Sequence, residues 1–271
     1  MNGESGRRVL KPGGSLSIVA LATFGCLAMV GSQPADRLPR PSASRHYVTA
    51  QAAATTDDPD DLYRRRQELP AARRAADLWA PRAGMDYESA WKLARVCYWL
   101  GTAGVTDERR GALERGVKAG ESAARLQSSR PEGHFWYAAN MGMLAQLFAS
   151  SQGLKYRGKI KEELERVLAI DPDWQDGSAD AALGQWYFKV PRLLGGSRSK
   201  AEQHLRRALM YDPNNRMALS ELADVVAASG RREEAVGLLR RLIAAPIHAD
   251  WIPEDTDFER KAVERLKTLE R

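Results

Sequence analysis

A chain of 271 residues has room for one large domain or a string of small stacked units, and its 44% hydrophobic and 28% charged residues supply a core and exclude wholesale disorder. The formal charge of +6 is interleaved with acids, as in Lys159-Ile160-Lys161-Glu162-Glu163 and Arg231-Arg232-Glu233-Glu234, which suits solvated helix faces and argues against a nucleic-acid-binding block. Two cysteines, Cys26 and Cys97, form neither a CxxC metal pair nor a redox pair.

At the N-terminus, Arg7, Arg8 and Lys11 precede the apolar run Leu16 to Val30, which ends in Gly31-Ser32. A basic n-region, a short apolar h-region and small residues at its end predict a signal peptide over residues 1–32. The run is shorter than the ~20 residues a membrane-spanning helix needs. Two fates stay open: cleavage before Gln33, or lipidation of Cys26 in the degenerate lipobox Thr23-Phe24-Gly25-Cys26. Arg7-Arg8 is a minor pointer to twin-arginine export. Residues 33–59, rich in Pro, Ala, Ser and Thr, read as a flexible linker. The expected location is therefore the periplasm or cell envelope, and the folded domain is expected over 60–271.

That domain opens with a short helix pair, Asp61 to Arg66 and Leu69 to Ala80. Arg64-Arg65-Arg66 and Arg73-Arg74 read as hydrated helix surface. Asp86 is an N-cap for a helix carrying Trp91, Ala94 and Tyr98, Gly101 and Gly104 break the chain, and Thr106 caps the next helix. Cys97 lies on the apolar stripe of the first of these helices and reads as a small core residue.

From there a period governs the chain. Pro131, Pro172 and Pro213 stand 41 apart. Ala119, Ile160 and Ala201 keep that step, as do Ala123, Leu164 and Leu205, then Leu126, Val167 and Ala208; Ala235, Leu239 and Leu242 follow 34 later. Within each copy the apolar positions fall at i, i+4 and i+7, one face of a helix. Each proline is expected to end that helix and open the next.

In the second unit, His134-Phe135-Trp136-Tyr137 starts an apolar helix reaching about Ala149, with Gly153 as the break before Lys155. In the third, Ala182-Leu183-Gly184 and Tyr187 lie on a first helix, and the extra length falls in Val190 to Ser197. In the fourth, Leu219, Leu222, Ala223 and Val226 face Ala235, Leu239 and Leu242 across a break at Gly230. Thr256-Asp257-Phe258-Glu259 is a capping box for a terminal helix.

Asp212-Pro213-Asn214-Asn215 with those small and apolar positions resembles the tetratricopeptide repeat. The fold class is all-α: a tetratricopeptide-like α-solenoid of stacked antiparallel helix pairs. The pattern from Gly133-His134-Phe135-Trp136-Tyr137-Ala138-Ala139-Asn140 through Ile170-Asp171-Pro172, Leu183-Gly184, Tyr187, Pro191, Gly195-Gly196-Ser197 and Lys200-Ala201-Glu202 resembles the T-component family of TRAP transporters. The resemblance implies an envelope protein, often lipid-anchored, that partners a periplasmic solute-binding subunit. Ile160-Lys161-Glu162, Pro172 and Leu183-Gly184-Gln185-Trp186 are also similar to the repeat proteins that regulate microtubule dynamics, a likeness of architecture.

No HExxH, Walker loop, GxSxG elbow or GxGxxG turn is present, so the chain reads as non-enzymatic, with no metal or cofactor. Helical register nominates Lys92, Gln185, Ser220 and Asp224 for the concave groove. For Trp99, Trp136 and Trp186 two readings stand, core packing or aromatic anchors of the groove; for Asn140, a polar residue in an apolar helix, the two are a groove position or an internal hydrogen bond to a neighbouring helix. Pro191, Gly195 and Gly196 mark the family-motif loop. The expected function is to bind a protein partner; the alternative is a small molecule, an organic acid or lipophilic compound, in an apolar channel. No nucleic-acid partner is expected, and membrane contact only through a lipid anchor on Cys26; oligomeric state is left open.

Overall fold

The computed structural model describes residues 57–270, apart from the side chains of residues 149–154. The expected signal segment 1–32, with Cys26, and residues 33–56 of the linker lie outside the described residues. Eleven α-helices follow: α1 (Pro59–Arg64), α2 (Leu69–Trp79), α3 (Tyr87–Ala103), α4 (Thr106–Leu126), α5 (Pro131–Leu147), α6 (Ala149–Ile170), α7 (Trp174–Lys189), α8 (Arg198–Tyr211), α9 (Arg216–Ala227), α10 (Arg232–Ala244) and α11 (Ile252–Leu269). Short 3-10 turns occupy Arg192–Leu194 and Ala249–Trp251. Among the described residues there is no strand.

Each helix packs on its neighbours in sequence, and α3, α5, α7, α9 and α11 also touch one another in succession. The odd-numbered helices therefore form an inner layer, and α2, α4, α6, α8 and α10 lie outside it. The 41-residue ladder is what the outer layer buries. Ala119, Ala123, Ile160, Leu164, Val167, Ala201, Leu205, Ala208, Ala235, Leu239 and Leu242 are all buried, and Leu126 packs partly covered against the same interior. Burying each larger aliphatic side chain contributes about 1.5–3 kcal/mol. Small residues set how closely the helices approach: a Cβ on Gly120 of α4 would lie 2.6 Å from the Tyr137 Cα of α5.

Several helix ends differ from the sequence reading, each for a local reason. Pro131 does open α5, but Pro172 and Pro213 sit in turns, where Asp171 and Asp212 have already capped α6 and α8. Asp86 caps α3 as expected, its carboxylate accepting from the Ser89 amide at 2.9 Å. Gly101 stays inside α3 and Gly104 alone ends it. Thr106 is the first residue of α4 rather than its cap; the Val105 amide donates to the Glu108 carboxylate at 3.1 Å. The break between α5 and α6 is at Phe148, and Gly153 lies within α6. Thr256 opens nothing: Pro253 in the first turn starts α11 earlier, and the Thr256 hydroxyl donates back to the Ile252 carbonyl at 2.7 Å, the bond a mid-helix threonine makes.

Candidate protein-binding surface

The inner layer carries different side chains at each level. In its first half, the two ends of the stack meet around Arg66, which is 4% exposed. Its guanidinium donates to both Glu254 carboxylate oxygens, at 3.1 and 2.7 Å, and to the Asp250 carbonyl at 2.6 Å. It lies 4.7 Å from the Tyr63 ring, 5.6 Å from Trp99 and 6.0 Å from Trp251. Burial opposes the charge on Arg66, but the Glu254 hydrogen bonds and the nearby acids outweigh it and raise its pKa. The hydrated surface expected for the Arg64-Arg65-Arg66 run therefore fails at its third member, whose partners lie 184 and 188 residues away.

Arg95 stacks 3.8 Å above Tyr63 and 4.8 Å from Trp91, and burial lowers its pKa. Tyr98 packs on Trp136 at 5.7 Å, and Trp136 in turn on Trp251 at 6.5 Å. Burial pushes the Tyr98 hydroxyl up to about 12. The Trp99 indole donates to the Arg66 carbonyl at 2.6 Å. Aromatic faces and buried guanidinium groups attract through the ring quadrupole, and the attraction grows as water is excluded.

The second half of the layer is polar. Gln185 donates to Glu221 at 2.8 Å, and Lys189 pairs with the same carboxylate at 3.7 Å. Arg265 of α11 reaches the Ser220 hydroxyl at 3.0 Å and pairs with Asp224. Lys92, back in α3, pairs with Asp60 at 2.8 Å.

The groove residues nominated from register thus fall into three groups. Trp99 and Trp136 join one aromatic cluster. Lys92 and Gln185 lie in separate polar contacts, while Ser220, which is buried, and Asp224 share Arg265. Asn140 and Trp186 face the interior: Asn140 is fully buried and donates to the Ala94 carbonyl at 2.9 Å and the Trp136 carbonyl at 2.7 Å, while the Trp186 indole donates to the Arg157 carbonyl at 3.1 Å. Sequence reasoning missed Tyr63, Arg66, Arg95, Trp251 and Glu254. Trp251, directly before a helix-opening Ile-Pro pair, was the one local signal available.

Two histidines join inner helices to outer partners. His134 of α5 sits between Glu163 of α6 and the Ser128 carbonyl, and Glu163 also takes Lys159 at 2.7 Å. Burial works against the Glu163 charge, but His134 and Lys159 outweigh it and hold its pKa below the ordinary value. His204 of α8 bonds to the buried Asp180 of α7 at 2.6 Å. Among the described residues no group of three His, Cys, Asp or Glu could hold a metal ion.

The loop after α7 is tightly specified. Gly195 adopts φ 103, and a Cβ on Gly196 would lie 1.7 Å from the Val190 carbonyl oxygen, so no side chain fits there. The Gly196 amide donates to the Pro191 carbonyl at 3.1 Å, and the Ser197 amide to the Tyr187 carbonyl at 2.8 Å.

A family model described as regulator of microtubule dynamics protein 1-3 matches residues 56–198, just over half of the chain. The chain belongs to this family. A tetratricopeptide-repeat model matches residues 194–246, so the family's helical array runs directly into a recognisable repeat. Among solved structures, a thermophilic tetratricopeptide protein from Thermus thermophilus aligns with a TM-score of 0.58 at 20% identity, covering 77% of this chain and 97% of that one. A MamA structure aligns with a TM-score of 0.45 at 14% identity, covering 74% and 95%. No curated protein matches the sequence. The chain is a tetratricopeptide-repeat protein, an architecture generally used as a scaffold for protein–protein interaction.

Proposed function

We propose that this chain is a non-enzymatic, exported scaffold of the periplasm or cell envelope that holds a protein partner on its inner layer. The observation that carries the reading is the contrast between a repetitive outer layer and an inner layer whose aromatic and charged groups are already fixed by mutual bonds. Side chains ordered before binding lose little entropy on association. Export is supported by the basic and apolar N-terminal segment, with lipidation of Cys26 as the alternative to cleavage. A solute-binding subunit of a TRAP-type transporter is the partner class supported by the Gly133–Asn140 and Pro191–Glu202 motifs.

The test combines fractionation of cells expressing the full chain with isolation of its partner. The reading expects the chain in the envelope fraction, with a stoichiometric partner that is lost on Lys92→Glu or Gln185→Ala. Retention in the cytosol, or capture indifferent to both substitutions, overturns it. Co-sedimentation with polymerised tubulin instead would move the partner to the one for which the family is named.

A second reading, a small organic acid or lipophilic ligand, is favoured by one observation. Arg95 Nε and Trp136 Nε1 are buried without hydrogen-bond partners, and such groups are costly unless something satisfies them. Thermal-shift screening of such compounds tests it; uniform silence removes it.

A further inference from the structure

We propose that the loop between α7 and α8 docks the protein onto an anionic phospholipid bilayer, with Leu193 entering the headgroup region. Residues 181–201 contain no Asp or Glu, whereas Lys189, Arg192, Arg198 and Lys200 all lie within them, and all four are exposed. Neither Arg192 nor Arg198 has an ion-pair partner among the described residues. Between these cations the 3-10 turn Arg192–Leu194 projects Leu193, which is 99% exposed, beside Leu194 at 36%.

A lone exposed leucine is ordinary on a protein surface. This one differs because the backbone holds it out. Pro191 fixes the start of the turn, its carbonyl accepts from the Leu194 amide at 2.8 Å and from the Gly196 amide, and Gly195 and Gly196 close the turn in a form no other residue fits. Leu193 is thus presented rigidly and cannot fold back against the protein. The Ser197 side chain already caps α8, accepting from the Lys200 amide at 3.3 Å, so the attraction rests on the side-chain charges.

The shape favours a bilayer over a peptide. A cavity of about 690 Å³ lined by Tyr187, Phe188, Val190, Arg192 and Arg198 lies beside the turn, but Leu193 does not line it; an apolar tip standing clear of that wall can enter a soft phase. Lys189 is paired with Glu221; Arg192, Arg198 and Lys200 meet lipid phosphates, each strengthening attraction to an anionic surface about fivefold. A single apolar residue gives only weak, reversible attachment, so the loop orients a protein that other interactions keep near the membrane.

The experiment uses the full chain with Cys26→Ser and Leu193→Cys, labelled with the environment-sensitive fluorophore NBD. Cys97 is fully buried and stays unlabelled. Gly111→Cys, at an exposed site on α4 with open space around it, carries the same label as a control. The proposal expects a severalfold rise and blue shift at position 193 with vesicles of about 30% phosphatidylglycerol in phosphatidylcholine. It expects no change with phosphatidylcholine alone and none at position 111. Arg192→Glu together with Arg198→Glu should remove the response while circular dichroism is unchanged. A silent position 193, an equal response to neutral vesicles, or an equal response at position 111 overturns the proposal. So does the same spectral change with a glutamate-rich peptide and no lipid, which would assign the loop to a protein.

Discussion

The outer and inner layers of the stack solve different problems with the same kind of helix. In the outer layer, α4, α6, α8 and α10 place Ala119, Ile160, Ala201 and Ala235 in one recurring slot and Ala123, Leu164, Leu205 and Leu239 in the next. These slots need only apolarity and a suitable size, so they repeat. The inner layer puts Arg95 and Trp99 in α3, Trp136 and Asn140 in α5, Gln185 and Lys189 in α7, and Glu221 and Asp224 in α9. Core positions recur there too, Leu183-Gly184 of α7 matching Leu222-Ala223 of α9, but these polar and aromatic groups differ from level to level, because each is matched to one particular partner. The periodic layer specifies the fold, and the aperiodic layer is where an individual member of the architecture acquires its own surface.

That contrast should appear first in stability. Leu205→Ala, in the outer ladder, is expected to cost about 3–4 kcal/mol in urea unfolding while leaving partner capture intact in whatever remains folded. A cost below about 1 kcal/mol would mean the ladder does not form the core. Arg66→Ala should cost about 2–3 kcal/mol, since it strands Glu254 and the Asp250 carbonyl at a largely buried site. Arg66→Lys should recover less than half of that, because an ammonium cannot straddle a carboxylate as a guanidinium does.

Away from the ladder and the Arg66 cluster, effects should be small. The Glu202 carboxylate takes Arg231 at 2.5 Å and Arg206 at 2.7 Å; the Arg231 hydrogen bonds and then Arg206, against a burial effect, lower the Glu202 pKa to about 2 from 4.5. A depressed carboxylate contributes its stability above pH 4.5 and loses it as pH falls towards 2. Glu202→Gln should flatten that acid limb and cost no more than about 1 kcal/mol at neutral pH, these groups being partly exposed. Smallest of all is a chemical effect: burial pushes the Cys97 thiol up to about 12, so maleimide should leave it untouched in the native protein and modify it in urea.

The difference between the layers also explains what could be read in advance. The ladder was legible because spacing alone reveals it, and its members lie in the core. Cys97 as a small buried residue and Asp86 as a cap were legible because each depends on neighbours within a few positions. Arg66 was not, since nothing near Arg64-Arg65-Arg66 indicates that one of the three meets Glu254 across the stack. Asn140 was half legible: a polar residue in an apolar helix suits a groove or an internal hydrogen bond to a neighbouring helix, and the second holds, its amide tying α5 to α3 through the Ala94 carbonyl. The capping-box reading of Thr256 failed to a competing local signal four residues earlier, where Ile252-Pro253 begins the helix.

A double-mutant cycle on Arg66 and Glu254 asks most directly whether the inner layer closes end to end. With both residues changed to alanine singly and together, the account predicts a coupling of about 2 kcal/mol in unfolding free energy, the double variant being hardly worse than either single one. Strictly additive losses, with coupling below about 0.5 kcal/mol, would show that the first and last helices do not meet and would contradict the closed inner layer described above.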